Sequence, residues 1–302
     1  MSEARVSRPA FAHGKVGSLA YVAMVYVVAV VVAWVAFGAV ESPWWSIVAG
    51  LFAATGVTFV ATLPVNNGSV FDAYWSVLPP VLAVHLSTLA PELTARAVAV
   101  HVVVWIWAVR LTLNWARTFP GLDHEDFRYE ELYASVPLPR WAVQLLLVEA
   151  APTLQVVLGC LPLYPALVLG GDGFGWLDGL ALGVGLAATA IELVADEQMR
   201  AFVRESARGE HMDRGLWRYS RHPNYFGEIL FWVSLWLFAV AAAPAAWWTG
   251  VGAVAMIAMF VFASVPMMEK RSLARRPGYA AYAARTSSIV PWPPKAGSPP
   301  AS

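Results

Sequence analysis

Charge is what this sequence lacks. Only 13% of its 302 residues are Asp, Glu, Lys or Arg, while 59% are hydrophobic; a soluble domain carries about 25% charged residues. An ordinary soluble domain is thereby excluded. Cysteine is almost absent as well: the single Cys160 sits in an apolar run, can form no intrachain disulfide, and reads as a small buried hydrophobe. There is no HExxH zinc pair, no P-loop and no paired CxxC, and Gly170-Gly171-Asp172-Gly173-Phe174-Gly175 has neither the G-x-G-x-x-G spacing nor a preceding strand. No metal site and no nucleic-acid partner is expected. The first fifteen residues contain no apolar core, so no cleavable signal is expected either.

What is present are long apolar runs. A bilayer core about 30 Å thick needs about 20 apolar residues per helix, with every backbone N–H and C=O paired inside the chain. Runs at 17–40, 46–63, 95–113, 141–169, 175–194, 225–242 and 247–265 meet that demand, and a weaker one at 75–90 is interrupted by Pro79 and Pro80. The runs are continuous, which argues for helices and against the alternating ten-residue strands of a barrel. The expected fold is an all-α polytopic bundle of seven or eight spans, forming one integral-membrane domain over 1–302.

The net charge is zero, yet the arginines are segregated. Arg5, Arg8 and Lys15 precede the first run; Arg117, Arg128 and Arg140 follow the fourth; Arg200, Arg204, Arg208, Arg214, Arg218 and Arg221 follow the sixth; Lys270, Arg271, Arg275, Arg276 and Arg285 follow the last. With eight spans all these segments fall on one side, which the positive-inside tendency makes cytoplasmic, together with both termini. Arg96 is the exception. Trp44, Trp45, Trp247 and Trp248 suit an outer aromatic belt, Trp141 and Trp292 an inner one. The end of the chain from Ser287, rich in Pro and small residues, reads as a short flexible tail.

Three polar stretches on the basic side carry the chemical information. In the first, Arg110 and Asn114 stand one helical turn apart at the end of a span, followed by His124-Glu125-Asp126-Phe127-Arg128-Tyr129. In the second, Glu192, Asp196, Arg200 and Arg204 succeed one another at intervals of four, and a carboxylate held inside a span end demands a partner or a wet cavity. The third and most specific runs from Gly215 to Glu228, Gly215-Leu216-Trp217-Arg218-Tyr219-Ser220-Arg221-His222-Pro223-Asn224-Tyr225-Phe226-Gly227-Glu228. Pro223 suits the first turn of a helix whose free amides then face the polar layer, a setting for an anion. Asn224 and Glu228 lie one turn apart on that helix. Each stretch also has a plain reading, as an ion-paired loop, an interfacial helix or a packing contact.

These stretches, with Met268-Glu269-Lys270-Arg271, Tyr279, Tyr282, Arg285 and Pro291, resemble an uncharacterised bacterial membrane branch of the steroid 5-alpha-reductase family over about 105–292; residues 1–104 diverge. The resemblance implies a bacterial inner-membrane enzyme that uses NADPH to reduce a C=C bond conjugated to a ketone in a hydrophobic small molecule, in a chamber open to the cytoplasm. Matched position by position, it implies cofactor contacts from Arg110, Asn114, Glu192, Asp196, Arg204, Arg221, His222, Asn224, Tyr225, Glu228 and Arg271. Arg271 stands near a family His, which leaves the adenosine end unassigned, and Glu192 stands where the family often has Asn. For the family's substrate acid pair of Glu and Tyr, the candidates in the N-terminal half are Asp72, Tyr74 and Trp75, just after Asn66-Asn67, with Tyr74 donating to the ketone and Asp72 orienting it. The third stretch and the ending Glu269, Tyr279, Tyr282 and Arg285 are also similar to isoprenylcysteine carboxyl methyltransferases, which makes S-adenosylmethionine the alternative cofactor. A transporter or lipid-binding protein without catalysis is the reading from another class; His85, His101 and Glu149 are too few polar midplane residues for a pathway.

Overall fold

The computed structural model describes residues 14–171, 173–207 and 209–295; Arg5, Arg8, Asp172, Arg208 and 296–302 lie outside them. Among the described residues the chain is helical with no strand, a single bridge joining Ser220 to Ser287. The helices are α1 (Gly14–Gly38), α2 (Pro43–Val65), α3 (Tyr74–Ser87), α4 (Ala95–Thr118), α5 (Phe127–Ser135), α6 (Arg140–Leu169), α7 (Trp176–Glu205), α8 (Pro223–Ala242), α9 (Pro244–Arg275) and α10 (Tyr279–Arg285).

Seven of these, α1, α2, α4 and α6 to α9, are long and apolar enough to cross a membrane. The weak run at 75–90 is the exception: α3 has 14 residues, about 21 Å at 1.5 Å per residue, too short to span alone. It is nevertheless a crossing in topological terms. Before it, Asn67 donates to Leu122 O and His124 O at one end of the molecule; at its close, His85 stacks on Phe37 at the far end of α1. A four-residue 3-10 turn, Gly68–Phe71, capped by the Asn67 side chain, makes up part of the missing length.

The basic segments meet at one end of the bundle. Gly14 N donates to Asp123, Lys15 to Arg117 O, and the Arg271 guanidinium lies 3.4 Å from the Phe127 ring centre. At the opposite end Trp44 packs on Trp248 and Tyr164. Arg96, the exception to this sidedness, is buried there by Asp178 at 2.6 Å and by the carbonyls of Gly171 and Gly173. A charge that is fully paired can remain at the wrong end.

Small residues bring the long helices together, as expected where lipid gives no hydrophobic drive to helix association. Ala29 and Ala33 on α1, and Ala54 on α2, are fully buried. On α8, Gly227 lies so near α7 that an added Cβ would sit 2.9 Å from Ala188 O. Besides a π-helical end to α6 at Pro165–Leu169, two helices carry a wide π-helical turn within their length, Gln144–Ala150 in α6 and Phe260–Ser264 in α9. Pro152 and Pro266 each follow two residues beyond. A proline offers no N–H to the carbonyl four residues back and collides with it, so the preceding turn relaxes outward.

The segment from Ser287 to Lys295, expected to be flexible, is held in place: Arg221 N donates to Ser287 O, Trp292 N to Tyr219 O, and the Ser220 hydroxyl to Ile289 O. Pairing of its backbone groups outweighs its Pro-rich composition.

Two helical glycines differ in their surroundings. A Cβ at Gly252 would meet Leu158 O and, at 2.8 Å, Gly159 Cα, whereas one at Gly179 meets nothing within 4 Å. Gly252→Ala is expected to lower stability by about 1–3 kcal/mol, and Gly179→Ala to leave it unchanged or raise it by up to about 1 kcal/mol. Thermal unfolding of the two variants in the same detergent checks the difference.

Candidate functional site

Where the basic end of the bundle opens, a chamber of about 570 Å³ is walled by α3, α4, α6, α7, α8, α9, the loop before α5 and the first turn of α5. Its centre is Arg110, near the end of α4. The guanidinium donates to Glu192 at 2.7 Å and to Asp196 at 2.9 Å, and Glu228 lies 3.9 Å away. Helical spacing produces the arrangement: Glu192 and Asp196 are one turn apart on α7, and Gly227 leaves room on α8 for the Glu192 side chain to pass, its Cγ only 2.5 Å from where a Cβ would be. Glu228 is oriented by two indoles, Trp107 donating at 3.0 Å and Trp232 at 2.9 Å. Trp107 is itself stacked on Phe231, ring centres 3.9 Å apart. The expectation that Glu192, Asn224 and Glu228 share one cavity agrees with this geometry, and Arg110, Asn114, Asp196 and Tyr225 line the same walls.

Several buried polar atoms on those walls have no partner: Asn114 Oδ1, Asn224 Oδ1, Trp115 Nε1 and Arg110 Nε. Unpaired buried groups cost free energy and are rare unless a ligand or ordered water meets them. Two acceptors and two donors therefore await a molecule that can both give and accept hydrogen bonds. Around the floor one guanidinium faces three carboxyls; at the mouth His124, Glu125 and Asp126 of the loop and Arg128 at the start of α5 join the lining.

Opposite the arginine, the structure revises the acid pair. Tyr74 is fully buried, stacked on Phe71, and donates to Leu51 O, so it does not line the chamber. The phenol beside Asp72 is Tyr129, which donates to Asp72 Oδ1 at 2.6 Å, and both residues line the wall. Burial raises the Asp72 carboxyl to about 6 in spite of the Tyr129 hydrogen bond, which works the other way. Burial, followed by the Asp72 charge, pushes the Tyr129 phenol well above its usual value. Asp126 at the mouth is only partly buried; burial pushes its carboxyl up, but Arg128 donates to both of its oxygens and the net effect holds it below the usual range.

Four other expected contacts fall outside the lining. Arg204 is exposed at the end of α7. Arg221 gives its N–H groups to Glu269, Ala283 O and Thr286 O. His222 is stacked on Tyr225 with Nε2 3.4 Å from Glu269. Arg271 covers the Phe127 ring. Arg221 and His222 thus hold the last helix and the chain beyond it against the base of α8. Residues that sequence reasoning left out include Trp107, Trp115 and Trp232, whose polar N–H groups are hidden in an apolar composition; tryptophan at one-turn spacing from Glu228 was the available signal.

Glu149 is fully buried but faces α2, accepting from Gln144 at 2.8 Å and Thr58 at 2.8 Å, and the Gln144 carbonyl in turn accepts from Tyr133. It braces the π turn of α6 and does not line the chamber.

Two outcomes follow. Arg110→Met strands three carboxyls beside one another and is expected to cost about 3–5 kcal/mol, seen as a large fall in thermal stability. Asp72 binds its proton more tightly folded than unfolded, so it favours the folded state most at low pH. That contribution is lost as pH rises from about 4 to about 6. Asp72→Asn should remove this slope and raise stability above pH 6 relative to the parent; an unchanged slope would place the titration elsewhere.

Comparison with known proteins gives two matches. Residues 58–286 fit the family described as "Protein of unknown function (DUF1295)". The match begins inside α2, further toward the N-terminus than the resemblance over 105–292. An uncharacterized protein of Schizosaccharomyces pombe, C594.04c, is 26% identical over 256 residues, covering 75% of this chain and 73% of the yeast protein. No solved structure matches. With three quarters of its length inside the family's boundaries, including every helix that lines the chamber, this chain belongs to the DUF1295 family.

Proposed function

We propose that the chamber binds a reduced nicotinamide nucleotide and that the protein is a membrane-embedded reductase of a C=C bond conjugated to a carbonyl in a hydrophobic molecule. The observation that carries the reading is the set of unpaired buried atoms at Asn114, Asn224, Trp115 and Arg110 around one cavity that is polar toward the basic end and apolar along α6 and α9. The likeness of the DUF1295 family to steroid 5-alpha-reductases supports it.

The residues fit such a nucleotide in one direction. A carboxamide and ribose hydroxyls, rich in donors, suit the acidic floor and the free Asn114 and Asn224 oxygens. Phosphates suit the mouth, where Arg128 lies and where Arg117 and Arg271 stand at the ends of α4 and α9. A volume of about 570 Å³ falls within the range of small-molecule sites, 300–1,000 Å³. When bound, the nicotinamide supplies a hydride to the β-carbon of the conjugated bond. The chain supplies the rest. Tyr129 and Asp72 present a proton to the carbonyl oxygen on which negative charge gathers. While Asp72 holds its proton it can donate to the phenol oxygen, freeing the Tyr129 O–H for the carbonyl; above about pH 6 the Asp72 carboxylate retains that O–H for itself. Reduction should therefore slow as pH rises through this window.

A second reading is favoured by one feature. Three carboxyls around one guanidinium suit a cationic ligand, and the sulfonium and ammonium of S-adenosylmethionine would be such groups. A methyltransferase of the isoprenylcysteine type is the corresponding activity.

Thermal unfolding with each cofactor separates the two. NADPH at 100 times its Kd is expected to stabilise the protein by about 2.7 kcal/mol, S-adenosylmethionine by nothing measurable; the reverse result overturns the reductase. Asn224→Leu should weaken NADPH binding about tenfold or more, and Tyr129→Phe should lower kcat with little effect on binding. Glu149→Gln, facing away from the chamber, should leave nucleotide binding nearly unchanged.

A further inference from the structure

α6 and α9 lie side by side, but not along their whole length. In the half away from the basic end they touch closely, Gly252 of α9 seated against Leu158 and Gly159 of α6 with no room for a Cβ. Toward the basic end their π turns, Gln144–Ala150 and Phe260–Ser264, make few contacts with each other, and the chamber occupies the space between. Leu147 and Val148 line it from one side, Met259, Phe260 and Ser264 from the other. The two helices form a V that is closed at the far end.

The residues at this seam face two ways. Leu147 and Phe260 line the chamber, while in the same two π turns Leu146 of α6 and Val261 and Phe262 of α9 are exposed without lining it, so each turn presents apolar side chains both inward and to the outer surface. That outer surface is the apolar belt of the bundle. Both edges of the seam are the helix turns that a proline two residues downstream has loosened, so they are the stretches best able to shift without losing regular hydrogen bonds. Met259 adds a side chain that conforms to irregular apolar shapes. The remaining walls are tied by charges and hydrogen bonds: Arg110 across α4 and α7, Asp72 to Tyr129, and Glu125 to Arg140 and the Gly68 amide.

We infer that the seam between the π turns of α6 and α9 is a lateral portal through which an apolar molecule dissolved in the bilayer passes into the chamber, leaving the mouth at the basic end to the water-soluble ligand. The occupant is an apolar molecule with one carbonyl oxygen, the oxygen directed toward Tyr129 and Asp72 and the apolar body lying along Leu147, Met259 and Phe260. The identity of this molecule rests on the reductase reading; the portal itself does not.

The test uses full-length protein in liposomes, with Cys160→Ala to remove the native thiol and Val148→Cys as the reporter inside the chamber. A lipid-soluble maleimide should label Val148→Cys at least tenfold faster than it labels the same protein carrying Ser264→Phe, which fills the seam, while a membrane-impermeant thiol reagent should label both at the same rate through the mouth. Met259→Trp is the second blocking variant, for the case in which Ser264→Phe does not fold. Equal maleimide rates with and without a folded blocking variant overturn the portal. No turnover is needed for this readout, so a failure to bind NADPH would sink the reductase and leave the labelling result standing.

Discussion

Arg110 is the residue on which the chamber depends. A guanidinium buried among lipid-facing helices is costly unless carboxylates meet it, and carboxylates buried there are as costly without it. Glu192 and Asp196 from α7 and Glu228 from α8 converge on this one side chain of α4. Three helices are thereby fixed at one height and one rotation. The accommodations around the cluster follow from it: a glycine at 227 where the Glu192 stem must pass, and two indoles aimed at Glu228, whose second oxygen would otherwise face an apolar wall. Such satisfied networks specify a unique arrangement more than they add stability.

Because the cluster has more acids than bases, it also sets a polarity. The floor of the chamber is acidic, which favours the donor-rich end of a ligand there and keeps an anionic end toward the mouth, where Arg128 joins the lining. The apolar wall on α6 and α9 runs beside this axis, which allows a second, oily molecule to lie alongside the first and not behind it. A single opening would force the two to arrive in sequence through the charged mouth; the V between the helices removes that constraint.

Much of this was legible in residue types alone. Long apolar runs and segregated arginines are strong signals because lipid leaves so few solutions for the backbone, and the spans and the sidedness they imply agree with the fold. Glu192, Asn224 and Glu228 were legible for the same reason: polar groups at span ends need a cavity or a partner. Tyr74 was not separable from Tyr129, since proximity in sequence to Asp72 favoured the former, and only the return of the 119–129 loop over Asn67 and Gly68 brings the latter close. The short α3 defeated a count by length because a 3-10 turn shares its crossing. Pro152 and Pro266 were visible in the sequence, yet their consequence, two widened turns on facing helices, requires knowing that the helices are neighbours.

The most specific sequence motif, Arg221-His222-Pro223, turns out to be a clip. Arg221 directs N–H groups to Glu269 and to the carbonyls of Ala283 and Thr286, while its own backbone amide binds Ser287 O. A guanidinium so fully engaged with the chain has little left for a phosphate. Its work is to hold α10 and the following segment against the start of α8, and that fixes the first turn of α8, where Asn224 and Tyr225 face the chamber. Specificity of a motif therefore reflects how exacting a local structure is, and a bracket that aligns two ligand-facing residues can be as exacting as a ligand contact. On the reductase reading proposed above, the phosphate end of the nucleotide falls to Arg128, the arginine that lines the mouth, and the sharpest residues of the motif act on the ligand only through Asn224.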